Sequence, residues 1–332
     1  MIAIGAIALS GCSAQQAGTS SASGGAAQQP AAHPAPSTVP ADMGSGKRDG
    51  DFPRTVTHFK GKTTLDKAPE KVVVINTGQA DALLTLGVVP VGSTSAEGAD
   101  MVPRYLADAY PQFAEQLAHV ADVGARSAPD VEAIANIRPD LILMNVAGKD
   151  PDALYAALTA VAPTIATEGT GLNWQQDFLL LADGLGRTEA AQKILDGFHA
   201  RAAELGDGLA APPTVSFLRL TGDELRLYGV ASFIGGIAEE AGLLRPASQR
   251  FEETSQDISN EQLDLADADW IFYGVQGGQA EAGPLTDAPL WTTLSAVAGK
   301  TAIPVDVDTF FLNAGPTAAG KVLDVLADHL HG

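Results

Sequence analysis

The chain has 332 residues, 45% of them hydrophobic, which is enough for one large core or two modest ones. A formal net charge of -20 argues against nucleic acid or an anionic membrane surface as the main partner. A single cysteine, Cys12, excludes an internal disulfide.

The N-terminus is an apolar run ending in Leu9-Ser10-Gly11-Cys12. It is too short to span a bilayer and reads as the end of a secretory signal. These four residues resemble the lipobox of bacterial lipoproteins, in which cleavage before the cysteine leaves it lipidated. No Lys or Arg precedes the run, so the start of the signal is expected upstream of Met1. Residues 13–50 are mostly Ala, Gly, Ser, Gln and Pro, a composition that cannot bury enough apolar surface to fold. They are expected to form a flexible tether holding the protein beside a membrane by its lipid anchor only.

The folded part opens with a hairpin pattern at residues 55–65, with Gly61 near its turn. KVVVIN (71–76) is a continuous apolar run of the kind found in buried parallel strands. DALLTLG is helical and stops at Gly87, a C-cap glycine. VVPVGST, HVADVG, DLILM and PTIAT read as further strands, with helices around Glu132 and over 151–159. Such alternation predicts an α/β lobe with a mostly parallel sheet. Residues 173–208 carry no strand signal. Trp174, Phe178, Leu181 and Leu185 fall at helical spacing, Gly186-Arg187 interrupts, and Thr188 is placed to cap a second helix. That second helix spans about 27 Å, the width of a small lobe, and predicts a strut. After Pro213 the α/β pattern resumes with TVSFLRL, ELRLYG, SFIGGIAEEAG, ADWIFYG and TAIPVDV. Val322, Val325, Leu326 and Leu330 make the stripe of a closing helix. The expected division is 1–12 signal, 13–50 tether, 51–172 N-terminal lobe, 173–208 helical linker and 209–332 C-terminal lobe.

Two segments repeat one pattern: PDVEAIANIRPDLILM (129–144) and ISNEQLDLADADWIFY (258–273). In each a helix-starting residue (Asp130, Ser259) precedes a glutamate (Glu132, Glu261) and then an apolar residue (Ile134, Leu263). An aspartate (Asp140, Asp269) then leads into a strand. The repeat predicts two related lobes with an acid at the same place on each. Taken alone, the two glutamates also suit a catalytic carboxylate pair. Other catalytic signals are missing. The turn after KVVVIN lacks G-x-G-x-x-G, and there is no Walker loop, H-E-x-x-H, Cys/His cluster or G-x-S-x-G elbow.

The ordered segments resemble the substrate-binding lipoproteins of bacterial iron–siderophore ABC importers, the class with a rigid helical linker. The matching pieces after the lipobox are APEKVVVINTGQADALLTLGVVPVG, DVGARSAPDVEAIANIRPDLIL, LTAVAPTI, LADGLGRTEAAQKIL, YGVASFIGGIAEEAGLLRP, DISNEQLDLADADWIFY and PLWTTLSAVAGKTAIPVDVDTF. Together they cover nearly everything after about residue 55. The resemblance implies an α/β fold of two Rossmann-like lobes with mostly parallel sheets, bridged by a long helix, with ligand in the cleft between lobes. It implies an extracytoplasmic, lipid-anchored monomer with no catalytic residues and no cofactor. Its partners would be a ferric siderophore and an ABC permease dimer.

In that family a glutamate on each lobe docks with permease arginines, which points to Glu132 and Glu261. Two separated acids can meet two symmetry-related basic pockets and fix orientation. Relatives that bind hydroxamates use an arginine at the place of Arg126 and another near Arg219. A guanidinium donates two bonds to oxygens around ferric iron. Rings line such clefts, and Trp174, Tyr228, Tyr273 and Phe311 are the candidates, with Trp291 assigned to the core. Asn76 and Thr77 follow the first strand, at the carboxyl end where α/β sheets bind ligands. Only two arginines stand out in a chain with 40 acids and 20 bases, so a hydroxamate or mixed-type ferric siderophore fits better than a strongly anionic catecholate or citrate complex. Haem, with Tyr228 or Tyr273 as axial ligand, and cobalamin are the alternatives within the family. A lipid-anchored α/β enzyme and a non-transport interaction protein on the same fold are the alternatives outside that role.

Overall fold

A computed structural model describes residues 35–95 and 100–331. Cys12 and the first part of the expected tether lie outside the described residues. Strands β1 (Arg54–His58) and β2 (Gly61–Leu65) form the expected hairpin. The first large sheet has six strands in the order β6-β5-β4-β3-β7-β8. They are β3 (Val72–Val74), β4 (Gly92–Ser95), β5 (Ala121–Ala125), β6 (Ala128–Pro129), β7 (Leu141–Asn145) and β8 (Thr164–Thr167). All are parallel except the two-residue edge strand β6.

The second sheet runs β11-β10-β9-β12-β13. It contains β9 (Val215–Thr221), β10 (Glu224–Tyr228), β11 (Ser255–Ile258), β12 (Trp270–Val275) and β13 (Ala302–Val305). Here β9, β12 and β13 are parallel, whereas β10 is antiparallel to both neighbours. This half is therefore mostly parallel as expected, with β10 alone running against the other four strands. The cause is local: two residues, Gly222 and Asp223, join β9 to β10, and so short a loop allows only an antiparallel return.

Why apolar runs form buried strands is visible in β3. Side chains alternate across a sheet, so both faces need apolar residues if both are covered. Val72 and Val74 face a central core, while Val73 and Ile75 face a second core with Ile134 and Leu158. Strand β9 divides in the same way: Val215 and Phe217 join the central core, and Leu218 and Leu220 join a third core with Leu263 and Ile271. The central core is thus filled from both sheets.

Helices Trp174–Leu185 and Thr188–Asp207 contribute to this shared core through Phe178, Leu181, Leu195, Phe198 and Leu205. The first of them ends at Gly186, whose φ of 69° suits glycine. The second has 20 residues and spans about 30 Å. Its cap differs from expectation: Arg187 is the N-cap, and Thr188 is the first helical residue. The closing helix is Pro316–Leu330, with Val322 and Leu326 fully buried.

Residues 35–50, expected as part of a flexible tether, lie along the first linker helix instead. Gln176 N–H donates to the Pro36 carbonyl at 3.2 Å, and Gly50 N–H to the Gly186 carbonyl at 3.0 Å. The Ser45 hydroxyl donates to Asp183 at 2.6 Å. Asp183 also pairs at 3.0 Å with Arg54, whose side chain is 0% exposed. Composition predicts whether a segment can form its own core, and it does not register a partner elsewhere in the chain.

The repeated segments prove to be one structural device used twice. Asp130 accepts from Ala133 N–H at 2.9 Å as the N-cap of helix Val131–Ile137. Ser259 and Gln262 form a capping box on the 3-10 turn Asn260–Ala266. Asp140, just before β7, accepts from Lys71 N–H at 2.8 Å, just before β3. Asp269, just before β12, accepts from Thr214 N–H at 2.7 Å, just before β9. Each aspartate therefore fastens the start of one parallel strand to the start of its neighbour.

Candidate functional site: a cavity between the two sheets

A cavity of about 640 Å³ is lined from both halves and from the first linker helix. Asn76, Thr77, Arg126, Asn145 and Thr167 come from the carboxyl ends of β3, β5, β7 and β8 or the turns after them. Trp174, Asp177, Phe178 and Leu181 come from the linker helix. Tyr228 and Phe233 follow from β10 and its helix, and Phe310, Phe311 and Asn313 from the segment before the closing helix. Parallel strands bring successive loops to one edge, which is why the polar residues converge there. Where the halves meet, Gly78 has a φ of 85° and lies against the Ala314 carbonyl, a place with no room for a Cβ.

Of the expected ligand residues, Arg126, Thr77, Asn76, Trp174, Tyr228 and Phe311 line this cavity. Arg126 is exposed and donates to the Thr77 hydroxyl at 3.0 Å. Asn76 is partly committed, since its carbonyl oxygen accepts from Asn145 N–H at 2.8 Å and ties the ends of β3 and β7. The rings of Tyr228 and Phe311 are 4.8 Å apart. Trp174 sits edge-on to Phe198 at 5.0 Å and to Phe233 at 5.8 Å.

Two expectations are corrected. Tyr273 is not among the lining residues; it packs against Trp291 at 5.3 Å in the core behind the second sheet. Alternation explains this, because its neighbour Phe272 takes the central face of β12. Arg219 also does not line the cavity. It is half-buried beside Tyr228, its charge acts on the Tyr228 phenol, and its Nε has no acceptor among the described residues. Trp291 is core, as expected.

The sequence reading missed Gln79, Asn145, Lys149, Thr167, Asp177 and Asn313. Asn145 and Thr167 follow the same carboxyl-end rule that selected Asn76. Asp177 had a signal of its own, an acid inside an apolar helix. It accepts from Glu168 N–H at 3.0 Å and Gly169 N–H at 2.8 Å. Burial nevertheless pushes its carboxyl up to about 7, against the pull of those bonds. The Tyr228 phenol is also raised, by burial, although Arg219 and Arg226 draw it down.

Glu132 and Glu261 are both exposed, and neither lines the cavity. Glu132 follows β5 and β6 at the carboxyl edge of the first sheet. Ile258 pairs with Leu225, which pairs with Leu220 near the end of β9, so Glu261 lies at the carboxyl edge of the second. No group of three or more His, Cys, Asp or Glu side chains that could hold a metal ion is found among the described residues. None of their helices is long and apolar enough to cross a membrane.

Two α/β halves, a helical linker and a cavity lined from both halves define a two-lobed binding protein. The profile of the family described as "Periplasmic binding protein" matches residues 72–305, and the chain belongs to that family. The Bacillus subtilis (strain 168) protein named "Probable siderophore-binding lipoprotein YfiY" is 30% identical over 82% of this chain and 86% of its own length. The Escherichia coli (strain K12) "Fe(3+) dicitrate-binding periplasmic protein FecB" is 24% identical over 82% of this chain and 88% of its own. Among solved structures, Staphylococcus aureus SirA complexed with staphyloferrin B aligns with a TM-score of 0.72 at 24% identity. That alignment covers 83% of this chain and 98% of the other, and it shows the shared fold.

Proposed function

We propose that this chain is the extracytoplasmic substrate-binding component of an ABC importer. It captures a ferric siderophore in the cavity between its lobes and delivers it to the membrane permease. The observation that carries this reading is the cavity itself. Its volume of about 640 Å³ suits a small-molecule complex, and its wall joins rings to a few polar groups. Relatives named for siderophore and ferric dicitrate binding support the ligand class. Binding rather than catalysis is the role, with the iron complex as cargo and no resident cofactor. Attachment is through a lipid on Cys12, and the binding unit is a monomer.

A hydroxamate or mixed-type complex is favoured. Arg126 and Lys149 supply the positive lining charge and Asp177 offsets part of it, so a strongly anionic catecholate would be poorly matched. Haem is less well served. An axial tyrosine must ionise, burial raises the Tyr228 phenol, and Tyr273 lies outside the cavity. Glu132 and Glu261, at the two carboxyl edges, are the permease-docking acids. Titration followed by tryptophan fluorescence, using ferric hydroxamates, ferric catecholates, ferric citrate and haem, tests the reading. Saturable binding of a ferric hydroxamate is expected, and a preference for haem over every ferric complex would overturn it.

A further inference from the structure

Gln79 opens the helix Gln79–Thr85 and is 4% exposed. Its carbonyl oxygen Oε1 accepts from the backbone N–H of Ile75 at 3.1 Å and of Asn76 at 3.0 Å. Two backbone donors on one side fix which way the amide faces, because the NH₂ group cannot take their place. Its Nε2 is then left buried, with no acceptor among the described residues, on a side chain that lines the cavity. Trp174, from a different element, repeats the arrangement. It is 3% exposed, lines the same cavity, and its Nε1–H also lacks an acceptor. Buried donors in folded proteins almost always have partners, so two of them on residues that line one cavity require an explanation.

We infer that Gln79 Nε2 and Trp174 Nε1 are ligand-reading donors, and that the buried end of the cavity is a subsite for acceptor oxygens of the ferric complex. Carboxylate, hydroxamate and amide carbonyl oxygens fit this subsite; ammonium and methyl groups do not. This rests on the functional reading above and sharpens it. Arg126 meets the complex at the exposed rim, while the neutral donors select it at depth. A buried site built to hydrogen-bond a substrate atom discriminates strongly against analogues that lack it.

The test is equilibrium titration of the full chain with ferrioxamine B and with ferric citrate, alongside thermal unfolding. Gln79→Glu keeps an acceptor for Ile75 and Asn76 and replaces the donor with an oxygen. Trp174→Phe removes the N–H and keeps an aromatic ring. Trp174→Phe is expected to unfold near the wild-type temperature and Gln79→Glu below it, because it buries a carboxyl, and each to bind the preferred complex about tenfold more weakly, or worse. Wild-type affinity in both variants overturns the inference while leaving the functional reading intact. A wild-type protein that binds neither complex overturns the reading, and the inference with it. Should Gln79→Glu fail to fold, Trp174→Phe decides alone.

Discussion

At the cavity wall, Asp177 is the residue whose chemistry depends most on pH. Its folded value is about 7 against an ordinary 3.8, chiefly because burial disfavours the charge. The sign follows from linkage. A raised carboxyl contributes fully below about pH 4, and that contribution is lost as pH rises through about 7. His58 acts in the opposite sense. Burial lowers it from 6.5 to about 4, so its contribution is lost as pH falls through that range. For binding, an ionised Asp177 repels a nearby anionic complex, while Arg126 and Lys149 oppose that repulsion. Affinity for ferric citrate should fall by about tenfold between pH 6 and pH 8, one pKa unit of coupling. Asp177→Asn should flatten that profile, as read by titration at each pH. At this scale the sequence was only partly legible. Arg126, Trp174 and Thr77 could be found from motif and strand-end position. Tyr273 and Arg219 could not be placed, because which face of a strand meets a cavity depends on the register of distant segments.

Among the elements, two fastenings tie distant segments together. Asp81, on the helix Gln79–Thr85, accepts from Thr317 N–H and Ala318 N–H at 2.9 Å each, and from the Tyr105 hydroxyl at 2.9 Å. It thereby caps the closing helix, whose preceding residues Asn313 and Ala314 line the cavity. A carboxylate at a helix N-terminus satisfies otherwise orphaned donors. The second fastening is the ion pair between Arg54 and Asp183, which anchors residues 35–50. Removing one partner strands a buried charge, so Arg54→Ala should destabilise the fold by about 3–5 kcal/mol. Urea unfolding measures this, and a loss under about 1 kcal/mol would show that the segment is held by its backbone bonds alone. The order of the apolar strands and main helices was legible, because continuous apolar runs and 3.6-residue stripes have few alternatives, whereas the polar edge strands β6 and β11 gave no such signal. The fastenings were not legible. Asp81 with Thr317 and Arg54 with Asp183 are polar residues far apart in sequence, and no local pattern joins them.

For the molecule as a whole, the repeated segments carry a structural role, from which the proposed docking role is separable. Asp140 and Asp269 are structural, each bonded to the start of a neighbouring strand. Glu132 and Glu261 are exposed at corresponding edges, which leaves them available to a two-fold basic partner. The double variant Glu132→Ala, Glu261→Ala should keep full ligand affinity and lose iron uptake in cells. Normal uptake would refute the docking role. The shared central core, filled from both sheets and both linker helices, implies that the lobes close by small adjustments and not by a wide hinge. The most direct measurement of the central claim is a titration of the wild-type chain and Arg126→Ala with ferrioxamine B. The wild type should bind saturably with one site per chain, and Arg126→Ala at least about tenfold more weakly. Equal affinity for the two proteins, or no saturable binding by the wild type, would contradict the account.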